Sequence, residues 1–297
     1  MPRVLVLRPP AKINLMLRVG APRPDGFHDV HTLLQSIAIA DTLRFTARRG
    51  PFVLETRGPG VPADRQNLVW QAAATFWRTL GRSGEPRDVH VNLQKAIPIA
   101  AGLGGASADA AATLQALNVL WDAKRPRPEL ARVAATLGAD VPFFLQGGTA
   151  LGLGRGDEIY PVDDLPRFGI LVVKPSFGVS TADAYRWLDE DRAANPPPPE
   201  GPAAGSIDVG WPAGAVRLEN DLQAPVARRH PEIGTIVAAC LAEGAKGAAM
   251  TGSGSAVFAV FSEAAAQRAA RRLHRPEWLV LVTRTLTRRE AGRRSGL

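Results

Sequence analysis

Three glycines within four residues, Gly102, Gly104 and Gly105, stand between the alternating stretch "DVHVNLQ" and an alanine-rich run in "PIAAGLGGASADAA". A strand that ends in such a turn and runs straight into a helix has little conformational choice, because glycine turns the chain tightly at no steric cost. The helix start then offers unpaired N–H groups and the positive end of its dipole, and glycine lets an anion come close to the backbone. No lysine follows to complete a G-x-x-x-x-G-K-[ST] phosphate loop, and Ser107 stands where G-x-G-x-x-G requires its third glycine. By themselves the three glycines fit a tight turn with close helix packing as well as they fit a phosphate site.

The flanking sequence supplies the frame. Ala11, Ile13, Leu15, Leu17 and Val19 alternate with Lys12, Asn14, Met16 and Arg18, the period of a half-buried strand that carries Lys12 and Asn14 on one face. "DTLRFTA" and "PFVLET" read as strands, and "NLVWQAAATFWRTL" as a helix capped by Asn67. Helices are expected from Ser107 to Trp121 and from Pro128 to Leu137, where Gly138 stops the second; "GTALGLGRGDEIYPV" reads as a hairpin. From Phe168 onward the elements reduce to βαββαβ, the ferredoxin-like order. Ala193 to Gly210, "AANPPPPEGPAAGSIDVG", is a Pro/Gly-rich surface excursion with no chemistry expected of it.

Composition bounds the function. At 297 residues the chain exceeds most single cores, so two domains are expected, and 45% hydrophobic with 22% charged residues is the balance of a folded protein. No apolar run reaches the ~18 residues of a spanning helix, and "MPRVLVLRPPAK" is too short in apolar residues for a secretory signal, which predicts a cytoplasmic protein without a membrane partner. Cys240 is the one cysteine, so neither an intrachain disulfide nor a cysteine-based zinc site can form. The net charge of +8 raises nucleic acid as a partner, but the excess lies in the C-terminal arginines and no aromatic residues interleave with it, so none is expected. Of 36 basic residues only five are lysine, and two of those, Lys12 and Lys95, fall beside the segments above.

"PPAKINLMLRV", "IPIAAGLGGASADAAATLQALN", "GADVPFFLQGGTALGLGRGD" and "GAAMTGSGSAVFAVF" together resemble the GHMP kinases, over about Pro10 to Phe261 and in the expected order. "AKINL", "DGFHDVHTLLQSI" and "ENDL" are similar to the branch of that family whose substrate is a cytidine diphosphate ester of methylerythritol. The resemblance implies an α+β fold of two domains: 1–163, like ribosomal protein S5 domain 2, and 164–297, ferredoxin-like, with the active site between them. It implies ATP-dependent phosphorylation of the 2-hydroxyl of the methylerythritol, a step of the non-mevalonate isoprenoid pathway, with Mg2+ for which no ligand is assigned. A GHMP kinase for mevalonate or homoserine is the alternative, and the sequence assigns no oligomeric state.

Position by position, the resemblance implies that Pro98, Ile99, Ala100, Ala101, Gly102, Leu103, Gly104, Gly105, Ala106, Ser107 and Ala108 hold the ATP phosphates, with Asn67 and Lys95 near the adenosine. Ala106 and Ala108 replace the glycine and serine common in the family loop, so one hydroxyl near the phosphates is lost. Lys12 and Asp140 are implied as the catalytic pair and Asn14 as a substrate contact, with Gly252 and Gly254 forming a second glycine turn near the transferred phosphate. Phe27 and Tyr185 are implied on opposite faces of the cytosine, His28 at its edge and Thr181 beside the cytidyl group. Each also has a plainer reading: Asp140 and Asn67 as helix caps, Lys12 as a snorkelling surface lysine, Phe27 as a loop anchor, Tyr185 as core, and Gly252 and Gly254 as a hairpin turn. His28 and His31 are spaced as a weak metal pair, but no third ligand lies within reach.

Overall fold

The structure, a computed structural model, describes residues 3–58, 60–194 and 217–295. The chain starts with β1 (Val4–Leu7), β2 (Pro10–Pro22), β3 (His28–Ala40), β4 (Thr42–Pro51) and β5 (Val53–Arg57). α1 (Leu68–Thr79) and β6 (Arg87–Gln94) lead through the glycine turn into α2 (Gly105–Leu120), then α3 (Arg127–Leu137), α4 (Val141–Gln146) and the hairpin β7 (Thr149–Leu153) and β8 (Glu158–Pro161). The second half runs β9 (Gly169–Pro175), α5 (Thr181–Ala194), β10 (Glu219–Asn220), α6 (Gln223–Arg229), α7 (Glu232–Ala242) and β11 (Gly247–Met250). It ends with β12 (Val257–Phe261), α8 (Glu263–Arg272), β13 (Trp278–Arg284) and α9 (Arg288–Ser295). Most of the Pro-rich stretch 193–210 lies outside the described residues; Ala193 and Ala194 close α5.

Three sheets result, ordered β1-β4-β6-β5, β10-β2-β3-β7-β8 and β11-β12-β9-β13. Helices α1 to α4 cover the first through a core that includes Phe45, Val91, Phe76, Leu117 and Phe143. The third has the antiparallel ferredoxin-like order, and α5, α7 and α8 share a core with its strands through Ala184, Leu188, Ile236 and Ala266. The second and third sheets pack together, Ile13, Leu15 and Ile37 meeting Ile170, Val172 and Phe258. That packing changes one expectation: β2 is buried on both faces from Pro10 to Leu17, not half-buried. Its apolar face meets the third sheet, and its Lys12–Asn14 face is closed by the second glycine turn.

The 163/164 boundary falls between β8 and β9, yet the two halves interlock. β10 pairs in parallel with β2, setting Glu219 opposite Met16 and Asn220 opposite Leu17. The arginine-rich C-terminus forms α9 and packs back on the first half. Leu286 N–H donates to Ser36 O (2.9 Å), and the Arg288 guanidinium donates to Thr149 O (3.1 Å) and Val162 O (2.7 Å). Ala291 is buried against Gly147. The charge pattern hid this, because only Ala291 and Ser295 of α9 are buried while Arg288 and Arg294 bond through their guanidinium heads. Among the described residues no helix is long and apolar enough to cross a membrane.

Candidate active site

A cavity of about 550 Å³ opens where β2, the glycine turn before α2, the start of α4, α5 and the 251–256 turn converge. Helix α2 begins at Gly105, two residues earlier than the pattern predicts, and its first intrahelical bond runs from Ala108 N–H to Gly104 O (2.9 Å). The N–H groups of Gly105, Ala106 and Ser107 therefore have no helical acceptor, and no side chain caps them. All three residues line the cavity.

The turn itself is held by its carbonyls. Leu103 O accepts from Lys12 N–H (3.0 Å), Ala101 O from Ala256 N–H (3.3 Å) and Gly102 O from the Thr251 hydroxyl (3.2 Å). Gly102 has φ +72°, and a Cβ there would lie 1.9 Å from Thr251 O, so this glycine serves the contact between the two glycine turns. At Gly104, φ +71°, a Cβ would strike the Phe144 ring at 2.7 Å and Lys12 Cγ at 3.0 Å. Close backbone packing and an anion-ready helix start are thus one device, not competing readings. Ala108 departs from expectation: it is fully buried in the core beneath α2, so its position takes no hydroxyl to the cavity.

Lys12 is 3% exposed, which removes its reading as a snorkelling surface lysine. Its Nζ donates to Asn14 Oδ1 (2.7 Å) and lies 3.4 Å from Asp140 Oδ2. Asn14 Nδ2 donates to the Thr32 hydroxyl (2.8 Å), and the Thr251 hydroxyl reaches Asn14 Oδ1 at 3.2 Å. Asn14 is therefore largely occupied in orienting Lys12. Asp140 occupies the N-cap position of α4, but its carboxylate accepts no capping bond and is 39% exposed on the cavity wall. Cap position without capping bond leaves that carboxylate free for chemistry.

Asn67 goes the other way. Its Oδ1 accepts from Val69 N–H (2.9 Å) and its Nδ2 donates to Pro62 O (2.7 Å), so the side chain is spent on α1 although the residue lines the cavity. Lys95 also lines it, with its Nζ bound to Asp41 Oδ2 (2.5 Å) and Asp109 Oδ2 (2.8 Å). Gly252 and Gly254 line the cavity and are braced by Asn220, whose Nδ2 donates to Met250 O (2.7 Å) and Gly252 O (2.9 Å). Thr181 meets the Ser253 hydroxyl at 3.2 Å.

Tyr185 lines the cavity wall, and burial, with the charges of Asp140 and Asp221 added, pushes its hydroxyl up to about 12, so it stays a neutral phenol. The His28 ring lies 5.2 Å from the Tyr185 ring, and its Nε2 is 2.9 Å from Asp189 Oδ1. Phe27 is 53% exposed with Arg155 over its ring at 5.1 Å; neither Phe27 nor His28 lines the cavity as it stands. Sequence reasoning missed Thr32, Thr251, Asn220, Asp189 and Arg155. "ENDL" was the available signal for Asn220, and Thr32, Thr251 and Arg155 lie inside the other quoted motifs, but their partners come from segments far apart in the chain; Asp189 lies in none of them.

A glycine-edged helix start facing a lysine–aspartate pair, on an N-terminal α+β unit joined to a ferredoxin-like one, defines a GHMP kinase. The GHMP kinase N-terminal domain matches residues 67–148 and the C-terminal domain residues 203–276. The chain is 47% identical to 4-diphosphocytidyl-2-C-methyl-D-erythritol kinase of Moorella thermoacetica, over 95% of this chain and 99% of that one. It is 41% identical to the same kinase of Pelotomaculum thermopropionicum, over 94% and 97%. A crystal structure of 4-(cytidine 5'-diphospho)-2C-methyl-D-erythritol kinase superposes with a TM-score of 0.78 at 34% identity, covering 95% of this chain and 99% of the other. The chain belongs to the 4-diphosphocytidyl-2-C-methyl-D-erythritol kinase family.

Proposed function

We infer that this chain transfers the γ-phosphoryl group of ATP to the 2-hydroxyl of 4-diphosphocytidyl-2-C-methyl-D-erythritol, giving the 2-phosphate and ADP. Its membership of the kinase family supplies the reaction; the observation that carries the mechanism is the Lys12–Asp140 pair, 3.4 Å apart in the same cavity as the open N–H groups of Gly105 to Ser107. The helix start takes the phosphates of ATP, and Asp140 accepts the proton of the attacking hydroxyl. Lys12, held by Asn14, orients that carboxylate and puts positive charge beside the transferring group. Most of the rate enhancement is then positioning and charge stabilisation, with the proton transfer added to it.

The nucleotide end of the substrate belongs at Tyr185. Phe27 closes on the opposite face of the cytosine, His28 reads its edge and Thr181 lies alongside, which requires the exposed Phe27 loop to move inward on binding. Among the described residues Lys12, Lys95 and Arg155 are the cations lining the cavity. All three are ion-paired, Lys12 with Asp140, Lys95 with Asp41 and Asp109, and Arg155 with Asp157 (2.8 Å); Arg155 is the most exposed of them and so the one suited to the substrate's diphosphate. No group of three or more His, Cys, Asp or Glu side chains comes together to hold a metal among the described residues. Asp140, the solvent-open carboxylate on the wall, is the residue that would hold a Mg2+ brought with ATP, and the ion would offset phosphate charge there. A coupled assay for ADP release tests the reading, with the cytidyl substrate, mevalonate and homoserine in parallel. Turnover with the first alone is the expected result, and turnover with either other alcohol at comparable kcat/KM would overturn it.

A further inference from the structure

The two ends of the glycine turn are joined behind it by buried charges that the phosphoryl-transfer chemistry does not use. Asp41, in the one-residue step between β3 and β4, is fully buried. Its Oδ1 accepts the N–H groups of Ala96 (2.6 Å) and Ile97 (2.8 Å), where the chain enters the turn, and its Oδ2 accepts from Lys95 Nζ (2.5 Å). The same ammonium donates to Asp109 Oδ2 (2.8 Å), one turn into α2, where the chain has left it. Gly105 completes the fit, since a Cβ there would lie 3.1 Å from Lys95 Nζ and 2.9 Å from Ile97 Cγ2. Asp109 is 2% exposed, and its Oδ1 meets no hydrogen-bond partner.

We propose that Asp109 is a positioning residue for ATP: through Lys95 and Asp41 it holds entry and exit of residues 98–104 at the spacing the phosphates need, and its own charge state sets how well the site accepts them. The inference rests on the reading that this turn holds ATP. An ammonium beneath the first turn of a helix is opposed by the helix dipole and persists here because Asp41 and Asp109 both accept hydrogen bonds from it. Burial disfavours the charge on Lys95, yet Asp109 and Asp41 together hold its pKa above the ordinary lysine value. Burial pushes the Asp109 carboxyl up to about 8, opposed by Lys95 and reinforced by Asp41. Those two are the charged groups acting on it; α2 has no other charged residue, and Lys12, on the adjoining β2, is paired with Asp140. Below that value Asp109 carries a proton and the triad is neutral. Above it the triad carries one net negative charge behind the site for the triphosphate, and ATP binding weakens.

The test is the pH dependence of the two Michaelis constants in wild type and Asp109→Asn. In wild type KM for ATP rises about three- to tenfold between about pH 7 and about pH 9.5, while KM for the cytidyl substrate stays flat. Asn can still accept from Lys95 but cannot ionise, so the variant keeps its melting temperature within a few degrees and shows a flat KM for ATP. A purely structural aspartate would give the variant the wild-type alkaline limb, or shift both Michaelis constants together, and either result overturns the proposal. Should the variant not fold, calorimetry on the wild type decides: ATP binding at about pH 8 in two buffers of different ionisation enthalpy must show net proton uptake, and its absence overturns the proposal. Loss of ATP-dependent turnover with every alcohol would strike the ATP reading itself, whereas full turnover with an unchanged alkaline limb in Asp109→Asn strikes only the positioning role.

Discussion

Asp140 stands at a helix N-cap without making the capping bond its position offers, which supports its proposed role as the base. Asp140→Asn keeps the shape and one acceptor oxygen but cannot take the hydroxyl proton. It should leave both Michaelis constants within a few-fold while kcat falls by about 10²–10⁴, as steady-state kinetics will show. Lys12→Ala should be as severe, and the double variant little worse than the poorer single one, because the two groups act as a unit. Turnover near wild type in a folded Asp140→Asn would leave positioning and charge stabilisation to carry the reaction. Ala108 behaves differently, although it lies in the same motif. Ala108→Ser puts a hydroxyl into the core under α2, where Gly104 O is in reach as an acceptor, so it should change stability by about 1 kcal/mol or less and leave KM for ATP unaltered.

At the scale of elements, the two glycine turns form a single clamp. Gly102→Ala brings a Cβ within 1.9 Å of Thr251 O at φ +72°, and neither backbone can yield without parting the turns. The expected outcome is a fall in melting temperature of about 5 °C or more, with both Michaelis constants raised, since Lys12, Asn14 and Thr251 are tied to that contact. The C-terminal helix carries a second, pH-dependent element. Glu290 has its carboxyl held down at about 2 against the effect of burial by the Thr287 N–H, Arg284 and Arg167. A carboxyl lower in the folded than in the unfolded chain stabilises above its unfolded value of 4.5, and that contribution disappears as pH falls through about 2. Glu290→Gln should therefore lower the melting temperature by about 1–4 °C at neutral pH, a difference that shrinks below about pH 4 in thermal scans.

For the whole molecule, the question is which partner its net charge of +8 serves. A charged surface binds polyanions in a salt-dependent way, whereas a cavity that reads a cytosine discriminates between bases in any salt. Thermal-shift titrations should show CDP raising the melting temperature clearly more than UDP, and a structured RNA giving no shift at high salt. Equal shifts with CDP and UDP would remove His28 from base selection.

Much of the order of elements was legible along the chain, where an element follows from local rules: the period-2 pattern of β2, the Asn67 cap of α1, the Gly138 stop of α3 and the βαββαβ order of the second half; β1, β3, α4 and α9 were not read from it. The candidate site was legible where residues crowd into motifs, as in Pro98 to Ala108, and where resemblance singled out Lys12 and Asp140. Other features depend on contacts between residues far apart in sequence: β2 is buried on both faces because a sheet from the other half covers it, and Asn67 is consumed by its own cap. Asp41 and Asp109, 68 positions apart, share one ammonium, and α9 returns to β2 and β3 of the second sheet. Local pattern records the φ/ψ preference and amphipathicity of a segment, which are properties of neighbours in the chain. Which buried polar group meets which partner is decided when distant segments exclude water together, and that step belongs to the tertiary structure alone.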